Sequence, residues 1–256
     1  VLILAGGTGG HIFPGLAVAE ELNARAVPVH WLGGAGGLES TLVPAAGIDF
    51  SALPGSGIRG GDWQRKLLGP PRLAGAVYVA LRLIRRLHPR AAIGFGGYAS
   101  GAGGLASWLA RCPLLIHEQN AIPGITNRVL ARLAKCVLTG LPGAFGSDAL
   151  LTGNPVRREF ARLGPPSARL RGRRGALRLL VVGGSQGARI FSEIVPAALA
   201  MLNPAKRKRL RITQQCREED LEEARRVYAE AGLKPNLASF FDDVPKRLKA
   251  ASLLIC

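Results

Sequence analysis

The stretch VLILAGGTGGH, Val1–His11, decides the fold of this chain. Apolar residues run into a group of four glycines, and Ile12–Leu22 then has helical character. A strand, a glycine turn and a helix in this order make an anion site, because glycine lets the backbone approach a ligand closely and the first helical turn presents N–H groups to negative charge. Units of this kind also bind nucleotide coenzymes or form plain tight turns, so the stretch alone leaves its ligand open.

The same pattern returns in the second half of the chain. Leu177–Val182 is an apolar run, GGSQGA (Gly183–Ala188) is a glycine turn, and Arg189–Leu202 has helical character. Two such units predict a duplicated Rossmann-like architecture of the α/β class with parallel sheets.

The length of 256 residues suits two domains. We place the first domain at residues 1–157 and the second at residues 158–256. GNPVR (Gly153–Arg157) fits a segment that crosses between domains, because Pro155 holds Asn154 in an extended or turn conformation.

Composition limits the class of protein. Hydrophobic residues make up 48% of the chain, yet no run of about 18 apolar residues occurs, so we expect no transmembrane helix. The net charge of +17 favours an anionic partner such as nucleic acid, a membrane surface or a phosphorylated substrate, although a general bias towards arginine accounts for part of it. The four cysteines are scattered, which favours reduced thiols over a zinc site.

Local patterns predict the remaining elements. Further strands are expected at Val27–Leu32, Ile48–Leu53, Ala91–Phe95, Leu114–Ile116, Cys136–Thr139, Leu150–Thr152 and Leu253–Cys256. Further helices are expected at Leu73–Leu87, Asn127–Ala134 and Glu218–Ala231. Turns or loops are expected at Gly33–Gly37, Gly55–Pro71 and Phe240–Val244, with a flexible connection at Arg158–Arg178.

HEQN, His117–Asn120, follows one of these strands. Residues just past the carboxyl end of a strand in an open parallel sheet lie in the ligand crevice, so these side chains are site candidates. His117 and Glu118 could instead cap and orient the neighbouring loops. A metalloprotease site is excluded, because the second histidine of HExxH is absent.

A surface patch for an anionic membrane is a second candidate site. Leu67 and Leu68 lie among Arg65, Lys66 and Arg72. The segment is more apolar than a solvent-exposed loop without a function would be, and it suits an anionic bilayer interface. The following helix carries apolar residues at helical spacing, for which a core-facing stripe is the alternative interpretation. The patch that we predict consists of Leu67, Leu68, Leu73, Val77 and Trp108.

The motifs occur in the order found in a known family. GGTGGHIFP, GFGGYASG, HEQN, GNPVR, GGSQGA and FFDDV together resemble the MurG family, the N-acetylglucosaminyltransferases that act on undecaprenyl-pyrophosphoryl-muramoyl-pentapeptide. The resemblance spans the whole chain and implies the GT-B fold, with two Rossmann-like domains whose parallel sheets face each other across a cleft. It also implies inverting transfer of GlcNAc from UDP-GlcNAc to the 4-hydroxyl of lipid I, which gives lipid II for peptidoglycan.

The resemblance assigns residues to each substrate, with the first domain on the acceptor side and the second binding the UDP-sugar. Positions that match UDP-GlcNAc contacts are Thr8, Gly9, Gly10, Asn120, Arg157, Ser185 and Phe241. Positions assigned to the acceptor pyrophosphate are Gly6, Gly7, Gly96, Gly97 and Tyr98. His11 is the first candidate for the catalytic base and Glu118 the second, although His11 would serve equally well as a ligand contact.

The resemblance implies no cofactor and no metal. The implied partners are UDP-GlcNAc, lipid I, an anionic membrane surface on the cytoplasmic face of the inner membrane and other cell-wall synthesis proteins, with no nucleic acid. The chain departs from the family at Thr213–Cys216, where the family has an HQxG-like segment. We also expect an incomplete second domain, because the family's glutamate-bearing stretch after the last strand has no counterpart before Cys256.

Two other functions stay open on the residues alone. Another GT-B transferase, such as one that glycosylates diacylglycerol, would share the same loops, and a basic nucleic-acid-binding protein would share the charge. A nicotinamide-dependent dehydrogenase is disfavoured, because GGTGGH lacks GxGxxG spacing and no acidic residue closes Val27–Leu32 to hold a ribose.

Overall fold

The structure is a computed structural model that describes residues 1–54, 62–184 and 189–256, with the backbone alone for residues 62–70. The chain forms two compact units, Val1–Arg157 and Arg158–Cys256. Each unit holds its own parallel sheet, so the α/β class with a repeated Rossmann-like unit is confirmed.

The described strands of the first unit form a seven-stranded parallel sheet in the order β3-β2-β1-β4-β5-β6-β7. These strands are β1 Leu2–Ala5, β2 His30–Gly34, β3 Asp49–Leu53, β4 Ala92–Gly96, β5 Leu114–Glu118, β6 Cys136–Thr139 and β7 Leu150–Leu151. The inner strands are apolar runs because helices cover both faces of the sheet, and the β1 residues are fully buried.

Helices on the two faces complete the first unit. They are α1 Gly9–Ala24, α2 Glu39–Ala45, α3 Asp62–Leu87, α4 Gly97–Leu109 and α5 Ile125–Leu130, with a 3-10 turn at Gly146–Asp148. One buried cluster centres on Leu2, Leu4 and Leu32 and includes residues of α3 and α4. The cluster on the other face contains Ile3 and Trp31.

The second unit repeats the start of this topology, with its described strands in the parallel order β10-β9-β8-β11. The strands are β8 Leu177–Val181, β9 Leu210–Gln215, β10 Asn236–Ala238 and β11 Leu253–Ile255. The helices are α6 Arg158–Ala161, α7 Pro166–Leu170, α8 Arg189–Ala200, α9 Pro204–Lys208, α10 Leu221–Glu230 and α11 Val244–Ala250, with a 3-10 turn at Glu218–Asp220. The first three strands in each unit follow the same 3-2-1 order with the fourth beside the first, which is the Rossmann arrangement.

The loop predicted at Gly55–Pro71 is wrong from Asp62 onwards, where α3 begins. The two prolines at 70 and 71 indicated a break, because proline lacks the N–H that a helix interior requires. Ala76 and Ala80 of the same helix are fully buried in the first core cluster. Burial of one face stabilises a helix more than local propensity does. A prediction from the local pattern alone therefore gives too much weight to the two prolines.

The flexible connection predicted at Arg158–Arg178 is also wrong, because the segment contains α6, α7 and the start of β8. Arg169 donates to the carbonyl oxygen of Leu248 at 2.7 Å, and Arg173 donates to those of Lys249 and Ala250 at 2.9 and 2.6 Å. These partners lie more than 70 residues along the chain. Long-range hydrogen bonds therefore order a segment whose composition resembles that of a linker.

Several predicted boundaries move. The β2 strand continues through Gly33 and Gly34, which were predicted as a turn, because these glycines pair with Ala52 and Leu53 of β3. His117 and Glu118 are the last residues of β5 instead of following it, since they pair with β6. No local pattern predicted α2, which is a short helix of seven residues.

The remaining boundary differences lie at helix ends. The predicted helix Asn127–Ala134 is α5 at Ile125–Leu130 followed by a turn, and Glu218–Ala231 divides into the 3-10 turn and α10. Helix termini fray into tighter turns, so such shifts of a few residues are expected. None of the helices within the described ranges combines the length and hydrophobicity that a membrane crossing requires.

Candidate active site

The first sheet has a topological switch point between β1 and β4. These strands are neighbours, with Ala5 paired to Gly96, although β2 and β3 lie between them in the chain. Ligands of open α/β sheets bind outside the carboxyl ends of the strands at such a point. The Gly6–His11 and Gly96–Tyr98 segments both begin there, so the structure brings together the two glycine clusters that the resemblance assigns to one ligand.

The Gly6–His11 segment leads directly into α1. Thr8 occupies the N-cap position in an extended conformation, and its side chain makes no capping hydrogen bond. The N–H groups of His11 and Ile12 donate to the Thr8 carbonyl oxygen at 3.0 and 3.2 Å. Thr8 and Gly10 are exposed, which leaves this positive end of the helix dipole open to an anion.

The imidazole of His11 lies against the second glycine cluster. A Cβ atom at Gly96 would be 2.8 Å from Nε2 of His11, and one at Gly97 would be 2.3 Å from the carbonyl oxygen of Gly6. Both glycines also have positive φ angles, 114° and 81°. Only glycine satisfies the backbone conformation and the close approach together, so this cluster is needed for packing as well as for any ligand.

The tautomer of His11 follows from its partner. Nδ1 lies 3.3 Å from the carbonyl oxygen of Gly6. A carbonyl oxygen can only accept, so in the neutral ring Nδ1 carries the proton and Nε2 carries the lone pair. Nε2 is therefore the atom of His11 that can take a proton.

Ser100, which no sequence motif marked as a site residue, joins the two strands at the switch point. Its hydroxyl accepts from the N–H of Gly96 at 2.9 Å and donates to the carbonyl oxygen of Leu4 at 2.5 Å. Ser100 is fully buried on α4. Its position four residues after the end of β4 is the signal that could have identified it, because a helix hydroxyl there can reach the strand end.

Tyr98 points away from the glycine loops. Its hydroxyl donates to the carbonyl oxygen of Arg72 on α3 at 3.4 Å. Burial raises the pKa of the Tyr98 phenol, and the positive charge of Arg72 opposes this. A pyrophosphate contact by this residue would accordingly use its backbone at the start of α4.

The N–H of Gly7 is already hydrogen-bonded within the protein. It faces both carboxylate oxygens of Glu39 at 3.3 Å. No acidic residue lies at the end of the second strand itself, but this carboxylate comes from the start of α2, five residues after that strand ends. The Glu39 carboxylate thus lies directly against Gly6 and Gly7.

His117 and Glu118 form a buried network at the end of β5. Nε2 of His117 lies 3.0 Å from the carbonyl oxygen of Gly153, and Nδ1 lies 3.1 Å from the side-chain nitrogen of Gln119. Since Gly153 can only accept, Nε2 carries the proton and Nδ1 accepts from Gln119. Burial lowers the pKa of His117, while the Gly153 bond and the Glu118 charge oppose the shift. His117 is a neutral structural histidine.

Glu118 is surrounded by donors. Its carboxylate accepts from the backbone and side chain of Asn120 at 3.0 Å each, from the Gly124 N–H at 3.1 Å and from Asn127 at 2.9 Å. Burial acts to raise the pKa of Glu118, but the hydrogen bonds from Asn120, Asn127 and Gly124 outweigh it and lower the pKa. A stabilised carboxylate of this kind is a weak base, so the geometry favours the loop-orienting interpretation over the catalytic one.

The GNPVR segment returns to the same edge of the sheet. Asn154 donates to the carbonyl oxygen of Gln119 at 3.2 Å. The guanidinium carbon of Arg157 lies 5.1 Å from the ring centroid of Phe13 on α1, two residues after His11. The structure therefore brings Asn120 and Arg157 to the same unit edge as Thr8–Gly10.

The second unit has its own switch point, between β8 and β11. A cavity of about 490 Å³ lies there and is lined by Val182, Gly183, Gly184 and Cys256 at the strand ends, together with apolar side chains such as Phe191. Ser185 and the rest of its turn, 185–188, lie outside the described residues. Phe241 is 5% exposed, and Arg247 lies over its ring at 4.0 Å, so only its backbone could meet a ligand.

Thr213–Cys216, which departs from the family pattern, covers the last three residues of β9 and the residue after it. Gln214 is fully buried. It accepts from the hydroxyl of Tyr228 on α10 at 2.5 Å and donates to the Phe191 carbonyl oxygen of α8 at 3.0 Å. This residue ties two helices to the sheet.

The predicted membrane patch is divided in the structure. Leu73 and Trp108 are 40% and 50% exposed. Val77 is partly buried and packs against the first core cluster, so its place in the patch stays a prediction. The side chains of Leu67 and Leu68 lie outside the described residues. Within the described part of the chain, no group of three or more His, Cys, Asp and Glu side chains could hold a metal ion.

Comparison with known proteins agrees with this arrangement. Residues 1–139 match the glycosyltransferase family 28 N-terminal domain, and residues 178–256 match the glycosyltransferase family 28 C-terminal domain. The solved structure of MurG from Acinetobacter baumannii is similar over the whole chain and 72% of its own length, with a TM-score of 0.77 and 35% identity.

Two curated relatives carry the name UDP-N-acetylglucosamine--N-acetylmuramyl-(pentapeptide) pyrophosphoryl-undecaprenol N-acetylglucosamine transferase. The protein of Xylella fastidiosa strain M12 is 46% identical over the whole chain, which spans 69% of its length. That of Xanthomonas campestris pv. campestris strain B100 is 50% identical, and the chain spans 59% of its length. The switch-point loops, the two family 28 domains and these identities together show that the chain belongs to glycosyltransferase family 28 and, within it, to the MurG family.

Proposed function

We propose that the protein transfers GlcNAc from UDP-GlcNAc to the 4-hydroxyl of the MurNAc residue of lipid I and so forms lipid II. The single observation that carries the proposal is the His11 imidazole held between the two glycine segments of the first switch point. The names and identities of the MurG relatives supply the substrates.

In this reaction the 4-hydroxyl oxygen attacks the anomeric carbon of GlcNAc from the face opposite UDP. The bond from that carbon to the β-phosphate oxygen breaks, and its electron pair leaves with UDP, so the configuration inverts. The hydroxyl proton needs an acceptor within hydrogen-bond reach. The lone pair on Nε2 of His11 supports His11 as that acceptor, because Nδ1 is turned towards Gly6.

The acceptor's pyrophosphate is assigned to the same switch point. The N-termini of α1 and α4 both begin there, at Gly9 and Gly97. Helices of 16 and 13 residues present partial positive charge at these ends, which favours a pyrophosphate group. We assign this group to Gly96, Gly97 and the backbone of Tyr98, together with the loop that Gly6 and Gly7 begin.

The donor is assigned mainly to the second unit. Negative charge grows on the β-phosphate as UDP leaves, and N–H groups at the turn after β8 would stabilise it where it develops. We assign the phosphate contact to Ser185, the uracil contact to the backbone of Phe241, and further contacts to Thr8, Gly9, Gly10, Asn120 and Arg157.

The lipid tail of the acceptor requires the enzyme to work at a membrane. We assign the contact to the cytoplasmic face of the inner membrane, where Leu67, Leu68, Leu73 and Trp108 would meet the bilayer interface. A net charge of +17 favours an anionic surface, and exposed leucine and tryptophan side chains suit its apolar boundary. Other cell-wall synthesis proteins are further candidate partners there.

A transfer assay tests the proposal. The protein, expressed from its complete coding sequence, is incubated with labelled UDP-GlcNAc and a lipid I analogue, and the label should appear in a β-linked product together with free UDP. A parallel assay with a diacylglycerol acceptor tests whether the protein is instead a lipid glycosyltransferase. Transfer to that acceptor alone, or transfer only from another sugar nucleotide, would overturn the proposed function.

A further inference from the structure

Glu39 is a buried carboxylate for which the reaction described above has no use. It is the first residue of α2 and is 2% exposed. One of its oxygens, Oε1, accepts from the N–H of Gly34 at 2.9 Å, and both oxygens face the N–H of Gly7 at 3.3 Å. The side chain therefore connects the last residue of β2 to the glycine loop after β1.

The neighbouring glycines leave room for this carboxylate. A Cβ atom at Gly6 would be 2.4 Å from Oε1, one at Gly37 would be 2.2 Å from Oε2, and one at Gly33 would be 2.8 Å from Cγ of Glu39. These distances are shorter than any that real Cβ atoms tolerate. Gly33 and Gly37 of the glycine-rich stretch thus leave the space that the Glu39 side chain fills.

The Glu39 carboxylate and the His11 imidazole contact opposite ends of the same peptide group, the one that joins Gly6 to Gly7. Glu39 binds the N–H of Gly7, and the carbonyl oxygen of Gly6 in the same peptide group faces Nδ1 of His11 at 3.3 Å. A peptide group is planar, so fixing its N–H also fixes the direction of its carbonyl. The contact of Glu39 with the Gly7 N–H therefore also sets the direction of the Gly6 carbonyl that faces His11.

We propose that Glu39 is a positioning residue that holds the Gly6–Gly7 peptide group and, through it, the imidazole of His11. The part that concerns catalysis rests on the proposed function, whereas the part that concerns the ring orientation does not. A carboxylate suits this task because it only accepts hydrogen bonds, and its backbone partners here only donate. Glutamine at the same place would present an NH₂ group to one of these donors.

The ring orientation is tested by NMR without any substrate. The chain has four histidines, and His11→Gln identifies the His11 imidazole signals. We expect Glu39→Gln to shift these signals and to leave those of His117 in place, because His117 is held by Gly153 and Gln119. Unchanged His11 signals in a folded Glu39→Gln protein would overturn the inference.

The catalytic consequence is tested by kinetics. Since displacement of a reacting group by about 1 Å can cost on the order of 10²-fold in rate, Glu39→Gln should lower kcat for GlcNAc transfer by tens of fold, with a smaller change in KM for UDP-GlcNAc. The matched control is Glu21→Gln, which removes a carboxylate of α1 that pairs with Arg25 on the surface. If the transfer activity of Glu39→Gln falls only in proportion to the fraction of protein that is unfolded, Glu39 has a purely structural role.

Two further variants cover the case in which Glu39→Gln does not fold. Glu39→Asp keeps the charge but shortens the side chain, so the same signals should shift if reach to Gly7 matters. Gly6→Ala should cost much less stability in a Glu39→Ala background than in the parent, because the clash with Oε1 is then absent. Additive losses in this cycle would contradict the contact. A shifted His11 signal without any transfer activity would refute the proposed function and leave the positioning role intact.

Discussion

The carbonyl oxygen of Gly6 lies 2.3 Å from the point where a Cβ of Gly97 would stand. The ends of β1 and β4 meet so closely here that backbone packs directly on backbone. The candidate site is built on this close approach of the two strand ends.

Replacement of Gly97 by alanine should destabilise the first unit. The left-handed backbone at φ +81° costs a non-glycine residue about 1–2 kcal/mol, and the clash with Gly6 adds to this. Gly143→Ala is the matched control, because Gly143 has φ +85° and no atom within 4 Å of the added Cβ. Chemical denaturation should show a clearly larger loss for Gly97→Ala, and equal losses would contradict the close approach.

Removal of the His11 side chain should reduce GlcNAc transfer. General acid–base groups typically contribute about 10²–10⁴-fold, so His11→Ala should lower kcat/KM for the lipid I analogue within that range. His88→Asn is the control, since His88 is exposed and asparagine tolerates its positive φ of 45°. Near-normal turnover by a folded His11→Ala protein would exclude His11 as the base.

The neutral His117 should make stability depend on pH. Burial lowers its pKa in the folded state below about 6.5, the value expected in the unfolded chain. Between these two pKa values the unfolded state binds more protons, so the stability is fully present above about pH 6.5 and is lost as the pH falls towards the folded pKa.

Thermal unfolding measured from pH 8 to pH 5 should show this loss. His117→Gln should make the profile shallower across that window, because its amide can donate to Gly153 without titrating. Part of the pH dependence should remain, since burial also lowers the pKa of His30. A His117→Gln protein with the parent's pH dependence would show that another group is responsible.

Glu118→Gln should destabilise the protein without abolishing GlcNAc transfer. The amide cannot accept from all the donors that surround the carboxylate, which costs about 1–3 kcal/mol for a buried unsatisfied group. The lowered pKa means that the contribution of Glu118 is present above about pH 4.3 and is lost as the pH falls through its folded pKa.

Transfer activity separates the two interpretations of Glu118. If it orients the loop, activity per folded molecule should stay within a fewfold of the parent, whereas a catalytic base would lose about 10²-fold or more. Glu218→Gln, an exposed carboxylate of the second unit, is the control for both measurements.

Replacement of Leu67, Leu68 and Leu73 by serine should weaken binding to vesicles that contain anionic lipid. Apolar side chains buried at the bilayer interface contribute in proportion to their area, while the basic charge that remains keeps a salt-sensitive part of the binding. Co-sedimentation measures the change, and Ile194→Ser, at an exposed apolar position on α8, is the control. Unchanged co-sedimentation of the triple variant would refute the patch.

The elements that the sequence predicts best are those with a strong local pattern. The strand at Cys136–Thr139 has the predicted bounds, and the strands ending near Ala5 and Val181 are each followed by the expected glycines and helix. The failures fall where distant partners decide. Arg169 and Arg173 order a segment that resembles a linker, and the burial of Ala76 and Ala80 accompanies a helix that begins at Asp62 despite two prolines.

The sequence by itself determined the two strand–glycine–helix units, the parallel α/β class and the family, because apolar runs, glycine turns and motif order are local and readable. Only the tertiary structure decided which polar groups meet. It brought Glu39 to Gly7, His117 to Gly153 and Gly96 to His11, through contacts that span from 32 to 85 residues of chain. Such contacts depend on the strand order 3-2-1-4-5, in which β4 lies beside β1, and no local pattern specifies that order.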